Sequence, residues 1–152
     1  TVRNLLAKVP IFGVCLGHQI LAQALGMPTY KLKFGHRGSN QPVKLDNGRI
    51  WMTAQNHGFA VGIDPSLWDM RADTNLSDQS NEGIDLPELS AFSVQFHPEG
   101  APGPKDAMNC FEKFTNYMDE WKKKLQSSSC LTAKTKPNNS RIAAIAEDRH
   151  HS

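Results

Sequence analysis

Ile11-Phe12-Gly13-Val14 is a short, continuous apolar run, and it meets a helical pattern through Gly13-Val14-Cys15-Leu16-Gly17. A strand joined to a helix through Gly-x-Cys-x-Gly has the form of a nucleophile elbow with sulfur in place of a hydroxyl. In so sharp a turn the backbone passes close to the nucleophile, and side chains at positions 13 and 17 are expected to clash. Cys15 falls at a helix N-terminus, where the dipole and free N–H groups favour a thiolate and can donate to an oxyanion; the Leu16 N–H is the natural donor. A thiolate nucleophile needs a base or imidazolium partner that is itself oriented by a third group. His97 and Glu99 suit these roles. They follow the apolar stretch Ala91 to Phe96, and residues two apart on an extended backbone project to one side. Pro98 between them favours that extended geometry.

Other reactive residue types carry weaker signals. Cys15 with His18 has no second ligand pair of suitable spacing, so no metal site is expected. His36, Arg37 and His57 read as exposed loop residues. Cys110, beside an apolar helical stripe, and Cys130, in the C-terminal segment, have no neighbouring His or Glu pattern and read as inert thiols. Lys122-Lys123-Lys124 suits a solvated helix end, not a nucleic-acid site.

The elements that must position Cys15 and His97 follow from periodicity. Val2, Leu5 and Leu6 sit at helical spacing, Val9-Pro10 interrupts them, and Ile11 to Val14 has the character of a central parallel strand. Leu16 to Leu25 carries Ile20, Leu21, Ala24 and Leu25 on one helical face, stopped by Gly26 and Pro28. Candidate strands follow at Tyr30 to Phe34, Pro42 to Leu45, Arg49 to Thr53, Asp69 to Thr74 and Ala91 to Phe96. Gly35-His36-Arg37-Gly38, Asp46-Asn47-Gly48 and the polar stretch Asn75 to Asn81 supply turn signals between them. A final helix over Asp106 to Lys124 presents Met108, Phe111, Phe114, Tyr117, Met118 and Trp121 as a stripe to cover a sheet. The pattern predicts an α/β fold. A doubly wound sheet does not begin at its central strand, so the first strands are expected upstream of Thr1.

The 152 residues include 17 Lys plus Arg and 15 Asp plus Glu, a net charge of +2 that averages two unlike parts. Residues 1–121 carry 10 basic and 13 acidic side chains, and residues 122–152 carry 7 and 2. The first part is expected to be a partial domain, the second a basic, mostly disordered tail. No stretch has the length of an apolar membrane span, no signal peptide opens the chain, and three cysteines form no disulfide framework, so a cytoplasmic setting is expected.

Three segments together, Pro10 to Gln19, Gln55 to Val61 and Phe92 to Glu99, resemble the class I, triad-type glutamine amidotransferase domain, whose flavodoxin-like sheet has flanking helices. Thr29 to Val43, Asn75-Leu76-Ser77-Asp78, Asn81-Glu82-Gly83 and Pro102 to Asp106 are similar to the glutamine-hydrolysing small chains of carbamoyl-phosphate synthase. The resemblance covers about residues 1–120 and implies a site. Cys15 would be the nucleophile, His97 the proton carrier and Glu99 its orienting partner; Leu16, Gln19, Asn56, Gly58 and Phe59 would hold L-glutamine. It also implies a large synthetase chain as partner, which uses ATP, Mg and bicarbonate, with no cofactor or metal in this chain, no nucleic acid and no membrane. The sequence has no Walker-type phosphate loop. The family's separate N-terminal domain, and the further strands and glycine-rich loop that open its amidotransferase domain and supply a second oxyanion donor, would lie upstream of Thr1, and Gly100 stands where Ala is usual. Two other readings are a binding module that docks on a synthetase chain without chemistry, and a cysteine variant of the α/β-hydrolases. In the latter the acid stands between nucleophile and His, the reverse of His97 before Glu99.

Overall fold

The computed structural model describes residues 1–63, 71–100 and 104–128. Three helices, α1 (Val2–Leu5), α2 (Leu16–Ala24) and α3 (Pro104–Ser128), accompany six strands, β1 (Ile11–Val14), β2 (Thr29–Lys44), β3 (Ile50–Val61), β4 (Arg71–Asn75), β5 (Asn81–Leu86) and β6 (Ala91–Val94). Single 3₁₀ turns lie at Pro87–Leu89 and Pro98–Gly100. The strands form one sheet in the order β1-β6-β5-β3-β2-β4, and β4 also pairs β5. β1 and β6 are parallel, with Ile11 opposite Ala91 and Val14 opposite Val94; the other pairings are antiparallel. The architecture is therefore mixed α/β, with a parallel strand at Ile11 to Val14 as expected, although among the described residues it stands at the edge of the sheet and not at its centre.

Alternation along β6 explains how the helices cover the sheet. Ala91 joins a core with Leu21 and Ala22 of α2 and Leu25 just beyond it, and Ser93 meets His18 of α2 at 2.8 Å. Val94 packs with Cys110 of α3, and Phe92 lies against Phe114 and Tyr117 of the same helix. Successive residues thus feed opposite layers. On the α3 side Phe12 stacks on Phe92 with ring centroids 4.4 Å apart and meets Phe111 and Phe114. Lys113 and Tyr117 both bond the Asp85 carboxylate of β5, tying α3 to the sheet by polar contacts as well.

Several elements differ from the sequence expectation. Gly35-His36-Arg37-Gly38 is not a turn: it lies inside β2, where the β2–β3 register shifts twice. Gly35, at φ 70°, is required there, because a Cβ would stand 2.9 Å from the His57 carbonyl oxygen. β3 runs on to Val61, so His57 is a strand residue. The sequence pattern does not predict β5, because Asn81-Glu82-Gly83-Ile84-Asp85-Leu86 looks too polar for a strand, yet every one of these residues is buried. The Asp46-Asn47-Gly48 turn is present, with Gly48 at φ 84°. Of the expected strand 69–74, residues 69 and 70 lie outside the described residues. α3 continues to Ser128, so positions 122–128 are helical and not tail; residues 129–152, Cys130 among them, lie outside the described residues.

Candidate active site

The parallel β1–β6 pair delivers two chain segments to one end of the sheet, beyond the carboxyl ends of both strands, where open α/β sheets bind ligands. Cys15 leaves β1 with its N–H donating to the Val94 carbonyl at 2.9 Å. Its φ of 51° and ψ of −102° are unusual for a residue with a Cβ, the strain expected of a nucleophile held on a sharp elbow. The two flanking glycines are unequal. A Cβ on Gly13 would stand 2.6 Å from the Gly17 carbonyl oxygen, whereas one on Gly17 would meet nothing within 4 Å. The expected clash holds at position 13 and fails at 17.

The Cys15 sulfur lies 3.9 Å from the Asn56 carbonyl and 3.8 Å from the Gln95 side-chain nitrogen. Burial pushes the thiol above its ordinary value, against the lowering effect of the Leu16 N–H and the Gln95 amide, with Glu99 and Glu82 adding to the rise. The helix terminus alone therefore does not produce a thiolate; a positive partner is needed. His97 follows β6, held by its N–H on the Ala54 carbonyl at 2.8 Å, and its Nδ1 is 2.8 Å from Glu99 Oε1. The two pair as expected, but by another route. Pro98-Glu99-Gly100 forms a 3₁₀ turn in place of extended chain, closed by the Gly100 N–H on the His97 carbonyl at 3.1 Å. A Cβ at Gly100 would sit 3.0 Å from the Ala54 Cβ, so alanine there requires a small shift.

Gln19 donates to the Phe59 carbonyl at 3.1 Å and to Gln95 Oε1 at 3.2 Å. Cys15, Leu16, Gln19, Asn56 and Phe59 are thus joined by direct contacts. Gly58 lies between the last two, where a Cβ would project into open space. Gln95, fully buried, was not foreseen: it bonds the Cys15 carbonyl at 3.3 Å and approaches its sulfur. A glutamine inside an otherwise apolar strand end was its only signal.

His36 and His57 are not exposed loop residues; both are buried, 6% and 7% exposed, and lie opposite each other across β2 and β3. With Glu82 they bring ligand-type atoms within 4.8 Å of one another, the spacing a metal ion needs. Those atoms already bond each other and Asp78, Gln55 and Asn75.

The glutamine amidotransferase class-I family model matches residues 1–117, and the chain belongs to that family. Among its curated relatives are carbamoyl phosphate synthase small chains. That of Syntrophotalea carbinolica is 54% identical over 121 residues, covering 78% of this chain and 32% of the relative. The chloroplastic one of Arabidopsis thaliana is 46% identical over 132 residues, covering 84% and 30%. The chain therefore spans about a third of the length of the curated relatives it matches. Among solved structures, a protein of Thermoplasma acidophilum described as part of a GMP synthase superposes with a TM-score of 0.62 at 20% identity, over 77% of this chain and 61% of that one. A glutamine amidotransferase of Thermotoga maritima gives 0.54 at 28% identity, over 81% and 53%. Among the described residues no helix is long and apolar enough to cross a membrane.

Proposed function

We propose that this chain is the glutamine-hydrolysing part of a carbamoyl phosphate synthase small chain, with Cys15, His97 and Glu99 as its catalytic residues. The observation that carries the reading is the strained Cys15 elbow that follows β1, with the bonded His97–Glu99 pair following β6, the strand parallel to it. His97, held through Nδ1 by Glu99, takes the Cys15 proton, and the sulfur attacks the side-chain amide carbon of L-glutamine. The Leu16 N–H donates to the oxyanion. As the tetrahedral adduct collapses, the C–N bond breaks and His97 passes its proton to the leaving ammonia, leaving a γ-glutamyl thioester. Water, deprotonated by His97, then breaks the C–S bond and releases glutamate, and the thiol regains its proton. Gln19, Asn56, Gly58 and Phe59 present amide and carbonyl groups suited to the ammonium and carboxylate of a free amino acid.

Ammonia would pass to a large synthetase chain, which would bring ATP, Mg and bicarbonate. The setting would be the cytoplasm or, as for the Arabidopsis relative, a plastid. Treatment with a glutamine-like electrophile should modify Cys15 in this chain; modification at Cys110 or Cys130 instead would sink the assignment. The raised Cys15 thiol favours a second reading, a module that docks on the synthetase chain without chemistry. Capture of that chain with no ammonia release would support it.

A further inference from the structure

Behind the candidate site lies a buried polar cluster that none of the proposed steps uses. Glu82 of β5 is wholly buried, and its Oε1 is 3.3 Å from His36 Nδ1, while Asp78 Oδ2 takes the other His36 nitrogen at 2.7 Å. Gln55 is locked in one orientation: its nitrogen donates to Thr53 Oγ1 at 3.0 Å and Glu82 Oε2 at 2.9 Å. Its oxygen therefore faces His57 Nε2 at 2.7 Å and His36 Nδ1 at 3.2 Å. The remaining ring nitrogen, His57 Nδ1, donates to the Phe59 carbonyl at 2.6 Å.

All four ring nitrogens thus face acceptor oxygens, but two neutral imidazoles bring only two N–H groups, and even with His57 Nε2 accepting from His36 Nδ1 at 3.2 Å three are required. The pair needs at least one more proton, and Glu82 and Asp78 supply the counter-charge. The charge belongs on His36, pushed up to about 9 chiefly by its bond to Glu82, while burial pushes His57 down. The Phe59 carbonyl that anchors His57 also accepts from Gln19, and Gln19 reaches Gln95, which ends on the Cys15 carbonyl and sulfur.

We propose that His36 and Glu82 are positioning residues, a buried pair that fixes the His57 ring and, through it, the 56–59 segment of β3 and the amide chain that ends on Cys15. Only the choice of glutamine as the ligand rests on the function proposed above. The test compares the unmodified chain with His36→Asn, Glu82→Gln and Asp78→Asn. Asp78 is 39% exposed, so its variant alters the pair without leaving a cavity and keeps the test open if the others unfold. Three quantities are read: amide hydrogen exchange over 56–59, the concentration of a diazoketone glutamine analogue that half-saturates Cys15 labelling, and the rate of Cys15 alkylation by iodoacetamide.

Each folded variant should exchange faster over 56–59 and need about tenfold more analogue, with saturated labelling and alkylation rates changed less than about twofold, as for misplacement of a binding group. A folded variant with unchanged exchange and unchanged half-saturation overturns the proposal. So does a tightly bound divalent metal that His36→Asn releases, since the ion would then hold the cluster in place of the proton. If the unmodified chain ignores the analogue while the variants still exchange faster over 56–59, positioning stands and the glutaminase reading fails.

Discussion

Cys15 illustrates how one residue can be legible in kind and not in detail. The type of its neighbours, an apolar strand before and helix formers after, predicts the elbow, and the positive φ bears that out. The equivalence of Gly13 and Gly17 does not survive, because only the side-chain vector at each position decides what a Cβ would meet. Gly13→Ala forces a methyl group onto the Gly17 carbonyl and the His18 N–H, backbone atoms that cannot give way cheaply. It should lower stability by about 1–3 kcal/mol, the usual range for overpacking. Gly17→Ala meets open space inside a helix and should be neutral or stabilising by up to about 1 kcal/mol. Urea unfolding of the two variants checks the contrast, and equal losses would contradict the geometry. A different lesson comes from His36 and His57. Residue type and surrounding glycines point to a loop, and burial becomes possible only through carboxylates contributed from β5 and the segment before it, far away in sequence.

The elements around the elbow were readable because their signals are local: the run Ile11 to Val14, the stop at Gly26 and Pro28, the aromatic stripe of α3. β5 was not, because its polar side chains are tolerated in a buried strand only with partners from elsewhere. Glu82 has Gln55 and Asn75, and Asp85 has Lys113 and Tyr117. Such strands make the sheet sensitive to pH. His36, raised from its ordinary value to about 9, binds its proton more tightly folded than unfolded. Its contribution is therefore complete below about pH 6.5 and lost as pH rises toward 9, a fall of about 2–3 kcal/mol. The urea midpoint should drop over that window, and less so in Asp78→Asn, which removes part of the cause. Asp73 of β4 behaves alike in sign but lower on the scale. Burial pushes its carboxyl up to about 6, so the stability it contributes is complete below about pH 4 and lost as pH rises through 6. Asp73→Asn keeps an oxygen for the Asp46 N–H and removes the charge. It should stabilise the chain by about 1–2 kcal/mol at pH 8, with the advantage shrinking below pH 5; a variant less stable than the parent at pH 8 would show that the carboxylate is needed ionised.

At the scale of the molecule, the parts proposed for glutamine recognition and those for turnover are unequally represented. The proposed recognition would draw on Gln19, Asn56, Gly58 and Phe59, which β3 and α2 bring near Cys15. Turnover asks more: a thiol kept up by burial has to ionise, and the developing oxyanion has to be held. Among the described residues, the backbone donor placed at the sulfur is the Leu16 N–H. Loss of one oxyanion donor costs about 10²- to 10³-fold in rate, and the chain spans about a third of the length of the curated relatives it matches. Labelling and turnover should therefore separate. The 152-residue chain should accept a glutamine-like electrophile at Cys15, yet release ammonia from glutamine at least about 100-fold more slowly than the full-length Syntrophotalea small chain assayed alongside it. Comparable rates would mean that the residues of this chain complete the oxyanion site by themselves, and that the half-buried thiol is activated by His97 without further help.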